Sequence, residues 1–191
     1  MSTSSNSIFC IDPIIQPDKK FIFNGKEFPI DFNLIKLYSL YYKKNHDYYE
    51  GVVNIKIEEP FDISNDEFQA FVDCCQKQNV QITDSNIFAL NYLSIRYEVP
   101  SLTQFTENYI ETNYSKLVFQ SLHFKQSHED VANYPFKNLS KFFNTEKEEK
   151  IICKHLNEYL EDERLLSLQI PIIDRIMKKY FEINKGKNDP E

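Results

Sequence analysis

The sequence predicts an α+β fold: a small sheet that contains a hairpin, covered by helices and followed by an all-helical extension. Three patterns support this prediction. Asn24-Gly25 separates two short apolar runs, which is a strong signal for a hairpin. Val53, Ile55 and Ile57 alternate with polar residues, as in a half-buried strand. Residues that can cap helices precede several apolar stripes with helical spacing.

The hairpin is predicted from strands at about 20–24 and 26–30. A type I′ turn requires a positive φ at both central residues, and Asn-Gly meets this requirement well. Phe21 and Phe23 are two residues apart, so their side chains should lie on the same face of the sheet.

A helix should follow the hairpin. Asp31 or Asn33 can cap it, and the helical spacing of apolar residues continues to about Lys44. The residues expected on its inner face are Leu34, Tyr38, Tyr41 and Tyr42. Residues 46–51 are then predicted to form a loop, with or without a short helical turn, that leads into the strand with the Val53 alternation.

Capping boxes are predicted at Ser64–Glu67, Ser101–Gln104 and Thr145–Glu148, because each pairs serine or threonine with an acid or amide three residues later. Val80 and Ile82 are expected to form a very short strand. The expected core residues of the sheet and its helices are Phe21, Phe23, Val53, Ile55, Ile57, Phe68, Phe71, Leu90 and Leu93.

Only helices are predicted after Ser115. The expected helices cover about 116–126, 128–133, 138–143, a stretch after Thr145 that reaches Leu160, and a last one from Pro171. Residues 1–18 are predicted to be disordered or extended, because Pro13 and Pro17 exclude a continuous helix. Residues 184–191 are predicted to be a disordered tail.

Composition narrows the class of protein. The chain has 191 residues, of which 41% are hydrophobic and 27% charged, which is typical of a globular protein. The net charge of −7 disfavours nucleic acid as a partner, since phosphate binding needs clustered lysine and arginine. No apolar run approaches the roughly 18 residues of a membrane span, so no membrane association is predicted. No secretory signal peptide is visible at the N terminus.

The four cysteines lack the spacing of a disulfide-rich secreted protein. Reduced thiols are therefore expected, together with a cytoplasmic or nuclear location. Of the adjacent pair Cys74 and Cys75, one thiol is expected to pack in the core and the other to be exposed.

Residues 19–113 resemble a BTB/POZ domain in the order of their motifs. These are the apolar hairpin with Gly25, a helix with Leu34 and Ser39, a strand that ends at Glu58, and the helices Glu67–Phe71 and Asn86–Tyr97 before Pro100-Ser101-Leu102. Pro13 and Pro17 stand where many BTB domains have the helix that exchanges between subunits. A segment-swapped dimer is therefore not expected, and the oligomeric state stays open.

The C-terminal half, about 114–183, is similar to the helical BACK extension that follows some BTB domains. The similarity rests on Ser167–Ile176, which resembles the Leu-Pro-x-x-x-x-x-Ile/Leu element that recurs in that extension. A BTB domain with such an extension also resembles the N-terminal module of BTB–ankyrin proteins.

The resemblance implies a non-catalytic adaptor that binds other proteins, for instance a substrate adaptor for a cullin-type ubiquitin ligase. The first alternative is a homo-oligomerisation or scaffold module related to BTB–ankyrin proteins, and the second is an uncharacterised enzyme. Tyr48-Tyr49-Glu50 is similar to the apolar-x-Glu motif that such adaptors present to a cullin scaffold. The competing interpretation of these three residues is a solvated loop.

No catalytic residue, cofactor site or metal site is predicted. The sequence contains no Gly-x-Ser-x-Gly, phosphate-binding glycine loop or His-Glu-x-x-His motif. The residue types that could bind a metal are His123, His128, Cys153 and His155, but their spacing does not place them on one helix face. Two acidic clusters, Glu58-Glu59 and Glu161–Glu163, are expected to be solvated.

Overall fold

The computed structural model describes residues 15–59, 62–76, 80–127 and 142–185. Within them, a three-stranded mixed sheet and a larger number of helices confirm the predicted α+β class. The strands are β1 (Lys19–Phe23), β2 (Lys26–Ile30) and β3 (Asn54–Lys56). The helices are α1 (Phe32–Tyr38), α2 (Leu40–Lys44), α3 (Asn65–Cys75), α4 (Ile87–Arg96), α5 (Pro100–Thr112), α6 (Tyr114–Ser127), α7 (Glu146–Lys154), α8 (Leu156–Tyr159), α9 (Glu163–Leu166) and α10 (Ile170–Asn184).

The predicted hairpin is confirmed. β1 and β2 pair antiparallel, and the turn residues Asn24 and Gly25 have φ values of 46° and 75°, both positive as a type I′ turn requires. β3 pairs with the other edge of β1 in parallel, which gives the strand order β2-β1-β3. Phe21 and Phe23 are both buried on the inner face of this sheet.

The single helix predicted to reach Lys44 does not form, because Ser39 interrupts it between α1 and α2. Ser39 has extended backbone (φ −101°, ψ 114°) and a buried side chain. Its hydroxyl donates to the Tyr97 carbonyl oxygen over 2.6 Å and accepts from the Tyr42 amide over 3.2 Å. The break changes which residues face the core. Of the four residues expected on the inner face of the helix, only Tyr42 is fully buried.

The core position expected for Val53 is wrong. Ile55 and Ile57 are buried as expected, but Val53 is 57% exposed. The chain bends at Val53, just before the first residue of β3, so the two-residue alternation of a strand does not extend back to it. Val52 packs partly against the core instead.

The capping box at Ser64–Glu67 is confirmed. The Ser64 hydroxyl accepts from the Glu67 amide (3.2 Å), and the Glu67 carboxylate accepts from the Ser64 amide (2.8 Å). The box expected at Ser101–Gln104 is wrong, because α5 already begins at Pro100, a residue that suits the first helical turn.

The box expected at Thr145–Glu148 is also wrong. Thr145 precedes α7, but its hydroxyl donates to the Glu149 carboxylate (2.9 Å) and caps no backbone amide. Glu148 points into the protein, where it accepts from Ser121 and Lys125. Partners on α6 therefore take Glu148 away from the local motif.

The remaining elements follow the predictions in part. Residues 80–83 form no strand, and α4 starts after a turn in which the Thr83 amide donates to Asn86 Oδ1 (2.9 Å). His155 separates α7 from α8, where the sequence predicted one helix. The helix expected at 128–133 and most of that at 138–143 lie outside the described residues, as do residues 1–14 and 186–191 of the expected terminal segments.

The buried apolar residues form two large clusters. One contains the sheet, α3 and α4, and includes all the expected core residues except Val53. The other joins α6 to α7, α8, α9 and α10 through residues such as Phe119, Ile152 and Ile176. Phe142, which precedes α7, packs in the first cluster. The predicted boundary at 113/114 stays a prediction, although the two clusters lie largely on either side of it.

Of the helices within the described ranges, none combines the length and apolar character that crossing a bilayer requires.

Candidate functional site

The predicted contact residues lie between α2 and β3. His46–Tyr49 form a short 3-10 helix, and Glu50 and Gly51 complete the turn that leads to β3. Tyr48 is 78% exposed and Glu50 is exposed, whereas Tyr49 is half-buried. The loop therefore presents an aromatic ring and a carboxylate to solvent while the residue between them points inward.

Tyr49 anchors this loop to the core of the first cluster. Its ring lies 5.8 Å from the Phe32 ring and 5.5 Å from the Tyr42 ring, measured between centroids. Its other side contacts the exposed Tyr48 ring edge-to-face at 5.1 Å. Burial, with further contributions from Tyr41, raises the pKa of Tyr49 well above its ordinary value, so it is neutral at physiological pH.

The backbone of the loop is also fixed. The Lys19 ammonium group, at the start of β1, donates to the carbonyl oxygens of Tyr49 (3.0 Å) and Val52 (2.7 Å). Gly51 has a φ of +74°, in the left-handed region that favours glycine. A fixed loop loses little conformational entropy when a partner binds, which favours its use as a contact surface.

A buried carboxylate lies at the end of β3, near this loop. Glu59, expected to be solvated, has a fully buried side chain that accepts from Arg96 Nε (2.7 Å), Tyr92 Oη (2.8 Å) and Tyr97 Oη. Burial raises the pKa of Glu59 and outweighs the opposing effect of Arg96 and the two tyrosines. With every oxygen engaged by the protein, this group ties β3 to α4.

A small cavity of about 100 Å³ lies beside that network, with walls that include Tyr41, Tyr49, Lys56 and Glu58. Glu58 is exposed, as expected for a strand end, in contrast to Glu59. Tyr49, which anchors the loop, lines this cavity. A partner that contacts the neighbouring Tyr48 would therefore also lie close to the cavity.

The sequence did not reveal an apolar groove between α1, α3 and α5. It has a volume of about 260 Å³ and is lined by Tyr38, Cys74, Val80, Ile82, Val99, Ser101, Leu102 and Phe105. Phe105, on α5, is 51% exposed at this groove. The groove depends on how three helices pack together, and no local pattern along the chain contains that information.

The possible metal ligands are not brought together. His123 Nε2 lies 3.1 Å from Ser167 Oγ, and His155 Nδ1 lies 3.0 Å from Glu158 Oε1. The buried Cys153 thiol donates to the Ile176 carbonyl oxygen (3.3 Å). In the described ranges, no three side chains of the metal-binding types form a group that could hold an ion, and His128 lies outside these ranges.

Comparison with known proteins identifies no family. No protein-family model matches the chain, and no curated protein matches it at a significant level.

Proposed function

We propose that this chain is a non-catalytic adaptor that binds other proteins, built on a BTB/POZ-like domain at 19–113 and a BACK-like helical extension at 114–183. One observation carries the proposal. Tyr48 and Glu50 are exposed on a loop whose backbone is held by Lys19 and whose middle residue, Tyr49, is anchored in the core. The proposed location is the cytoplasm or nucleus, where the free thiols of the described cysteines would stay reduced.

The succession of elements supports the BTB-like part of the proposal. The BTB resemblance implies a hairpin, a helical stretch, a further strand and then three helices, with a Pro-x-Leu joint before the last of them. The chain has β1, β2, α1, α2, β3, α3, α4 and α5 in this order, and the joint falls at Pro100. The parallel pairing of β3 with β1 brings the end of the loop next to the hairpin.

A cullin-type scaffold is the proposed partner class. Tyr48 can fill an apolar pocket on a partner, and its hydroxyl can still reach a polar group at the rim. Glu50, two residues further on, can pair with a basic side chain and so fix the orientation of the complex. Aromatic anchors are common among the few residues that supply most of the binding energy at an interface.

Affinity purification from cells of the source organism tests the adaptor proposal. The wild-type chain is compared with Tyr48→Ala/Glu50→Ala and with the matched control Phe181→Ala/Glu182→Ala, an exposed aromatic–acid pair on α10. Quantitative mass spectrometry should find at least one protein that is lost with the loop variant and retained with the control. Identical sets of bound proteins for all three chains would reject the loop as the contact.

Self-association is a second candidate function, favoured by the exposed Phe105 in the apolar groove. Exposed apolar patches often mark interaction sites. Sedimentation velocity of the wild type should then show a concentration-dependent dimer that Phe105→Asp removes. A monomer at all concentrations would reject this candidate and leave the adaptor proposal in place.

A further inference from the structure

A further cleft, of about 320 Å³, lies between helices of the two apolar clusters. Its walls come from α4 and α5 on one side and from α6 and α7 on the other. The volume is at the lower end of the roughly 300–1,000 Å³ typical of small-molecule sites, which often lie where two packed units meet.

The lining of this cleft is partly apolar. The apolar residues are Ile95, Ile110, Val118, Phe142 and Ile151. Such a lining can bury the hydrocarbon part of a small ligand, while polar groups determine its orientation.

Two of the three lysines at the cleft pair with glutamates at its exposed edge. Lys147 on α7 pairs with Glu111 on α5 (2.8 Å), and Lys150 pairs with Glu146 within α7 (2.7 Å). All four side chains are about half-exposed, so these pairs are solvated.

The third pair is buried and incompletely hydrogen-bonded. The Glu148 side chain is only 6% exposed. Its Oε1 accepts from Lys125 Nζ (2.6 Å) and from Ser121 Oγ (2.9 Å). Its Oε2 is buried and has no hydrogen-bond partner. Buried carboxylate oxygens are normally hydrogen-bonded, so Oε2 is an acceptor that a ligand could use.

The charge of the lining indicates the sign of such a ligand. Four glutamates and three lysines line the cleft, which leaves a net charge of −1. Each lysine has a glutamate partner, whereas Glu107 forms no ion pair with any described residue. The unmatched acceptors, Glu107 and Glu148 Oε2, favour a cation with N–H donors.

We propose that this cleft binds a small organic amine, with its ammonium group bonded to Glu148 and its hydrocarbon part on the isoleucines. Glu148 lines the cleft, so the ammonium group would bond to Oε2 while Oε1 keeps its bonds to Lys125 and Ser121. The site is separate from the Tyr48 loop, and the inference does not depend on the adaptor proposal.

An NMR titration of the full chain with labelled isoleucine methyl groups tests this site. The probes are hexylammonium, the neutral hexanol and the anionic hexanoate. Hexylammonium should shift the Ile95, Ile110 and Ile151 methyl signals saturably, at least about tenfold more tightly than hexanol, because it adds a charge-assisted hydrogen bond. Hexanoate should produce no saturable shift. Equal binding of the first two probes, or tighter binding of hexanoate, would overturn the proposal.

The Glu148→Gln variant then tests the carboxylate itself, with Glu182→Gln on α10 as the control. In Glu148→Gln the preference for hexylammonium over hexanol should disappear, and in the control it should persist. An unchanged preference in Glu148→Gln would overturn the assignment. If this variant does not fold, as judged by its methyl spectrum, the three-probe comparison on the wild type decides alone.

Discussion

Lys19 and Tyr49 are 30 residues apart, yet the Lys19 ammonium group donates a hydrogen bond to the Tyr49 carbonyl oxygen over 3.0 Å. The same ammonium group lies 5.2 Å above the Phe32 ring, which the Tyr49 ring also contacts. One side chain of β1 thus fixes both the backbone and the aromatic support of the loop that carries Tyr48 and Glu50. The loop that carries the proposed contact is therefore fixed to the sheet by the Lys19 side chain.

Phe71 tests the placement of the core. It is 1% exposed and packs in the cluster that contains the sheet. Phe71→Ala should lower the free energy of unfolding by roughly 3–5 kcal/mol, because the lost ring leaves a cavity. Phe181→Ala, an exposed phenylalanine on α10, should change it by about 0.5 kcal/mol or less. Urea denaturation measures both values, and an unchanged midpoint for Phe71→Ala would refute the packing.

Ser39→Ala tests the break between α1 and α2. The substitution removes the bonds to the Tyr97 carbonyl oxygen and from the Tyr42 amide in a fully buried environment. It should cost about 1–3 kcal/mol of stability, since both backbone groups would be left unsatisfied. Ser101→Ala, at an exposed position in the first turn of α5, is the control. Equal stabilities of the two variants would mean that the Ser39 hydroxyl holds neither helix.

Glu149 gives a pH dependence whose direction follows from its pKa. Burial raises this pKa, but hydrogen bonds from Lys179, Thr145 and Arg175 outweigh the effect and hold it below its ordinary value of 4.5. An acid with a lowered pKa in the folded state stabilises the protein above its unfolded pKa, and this stabilisation is lost as the pH falls through the folded value.

The matching measurement is the unfolding free energy of the wild type and of Glu149→Gln between pH 3 and pH 7. At pH 7 the unfolding free energy of the variant should be lower by roughly 3 kcal/mol. This value is at the lower end of the range for breaking a buried ion pair, because Arg175 is about half-exposed. The difference should shrink below pH 4.5. A difference that does not vary with pH would contradict the ion-pair role.

Removal of residues 1–14 tests the expectation that no segment-swapped dimer forms. The deletion keeps Asp18, whose carboxylate accepts from the Phe32 amide at the start of α1 (2.7 Å). Light scattering should give the same molecular mass before and after the deletion. A dimer that becomes monomeric would show that this segment joins two chains.

The sequence predicted best where local geometry decides the structure. The positive φ values that Asn24-Gly25 favours set the turn locally, and Ser64 and Glu67 satisfy each other within one helical turn. The break at Ser39 depends on the carbonyl oxygen of Tyr97, 58 residues away. No local pattern contains that information.

The acidic residues illustrate the same limit at the candidate sites. Glu148 and Glu149 have the local sequence of a solvated first helical turn, yet both are buried because Lys125 on α6 and Lys179 on α10 reach them. Glu59 is buried for an equivalent reason, through Arg96. The cleft beside Glu148 depends on the packing of α4 to α7, so it could not be predicted from the spacing of charges along the chain.

The most direct test of the proposed function is a calorimetric titration of the chain against a cullin N-terminal domain. The wild type should bind, and Tyr48→Ala/Glu50→Ala should weaken binding by at least about 1 kcal/mol without a loss of stability, because both side chains are exposed. Lys19→Met should weaken binding less, through a looser loop, and Phe181→Ala/Glu182→Ala should bind like the wild type. Absence of binding by the wild type, or equal affinities for the wild type and the loop variant, would contradict the account.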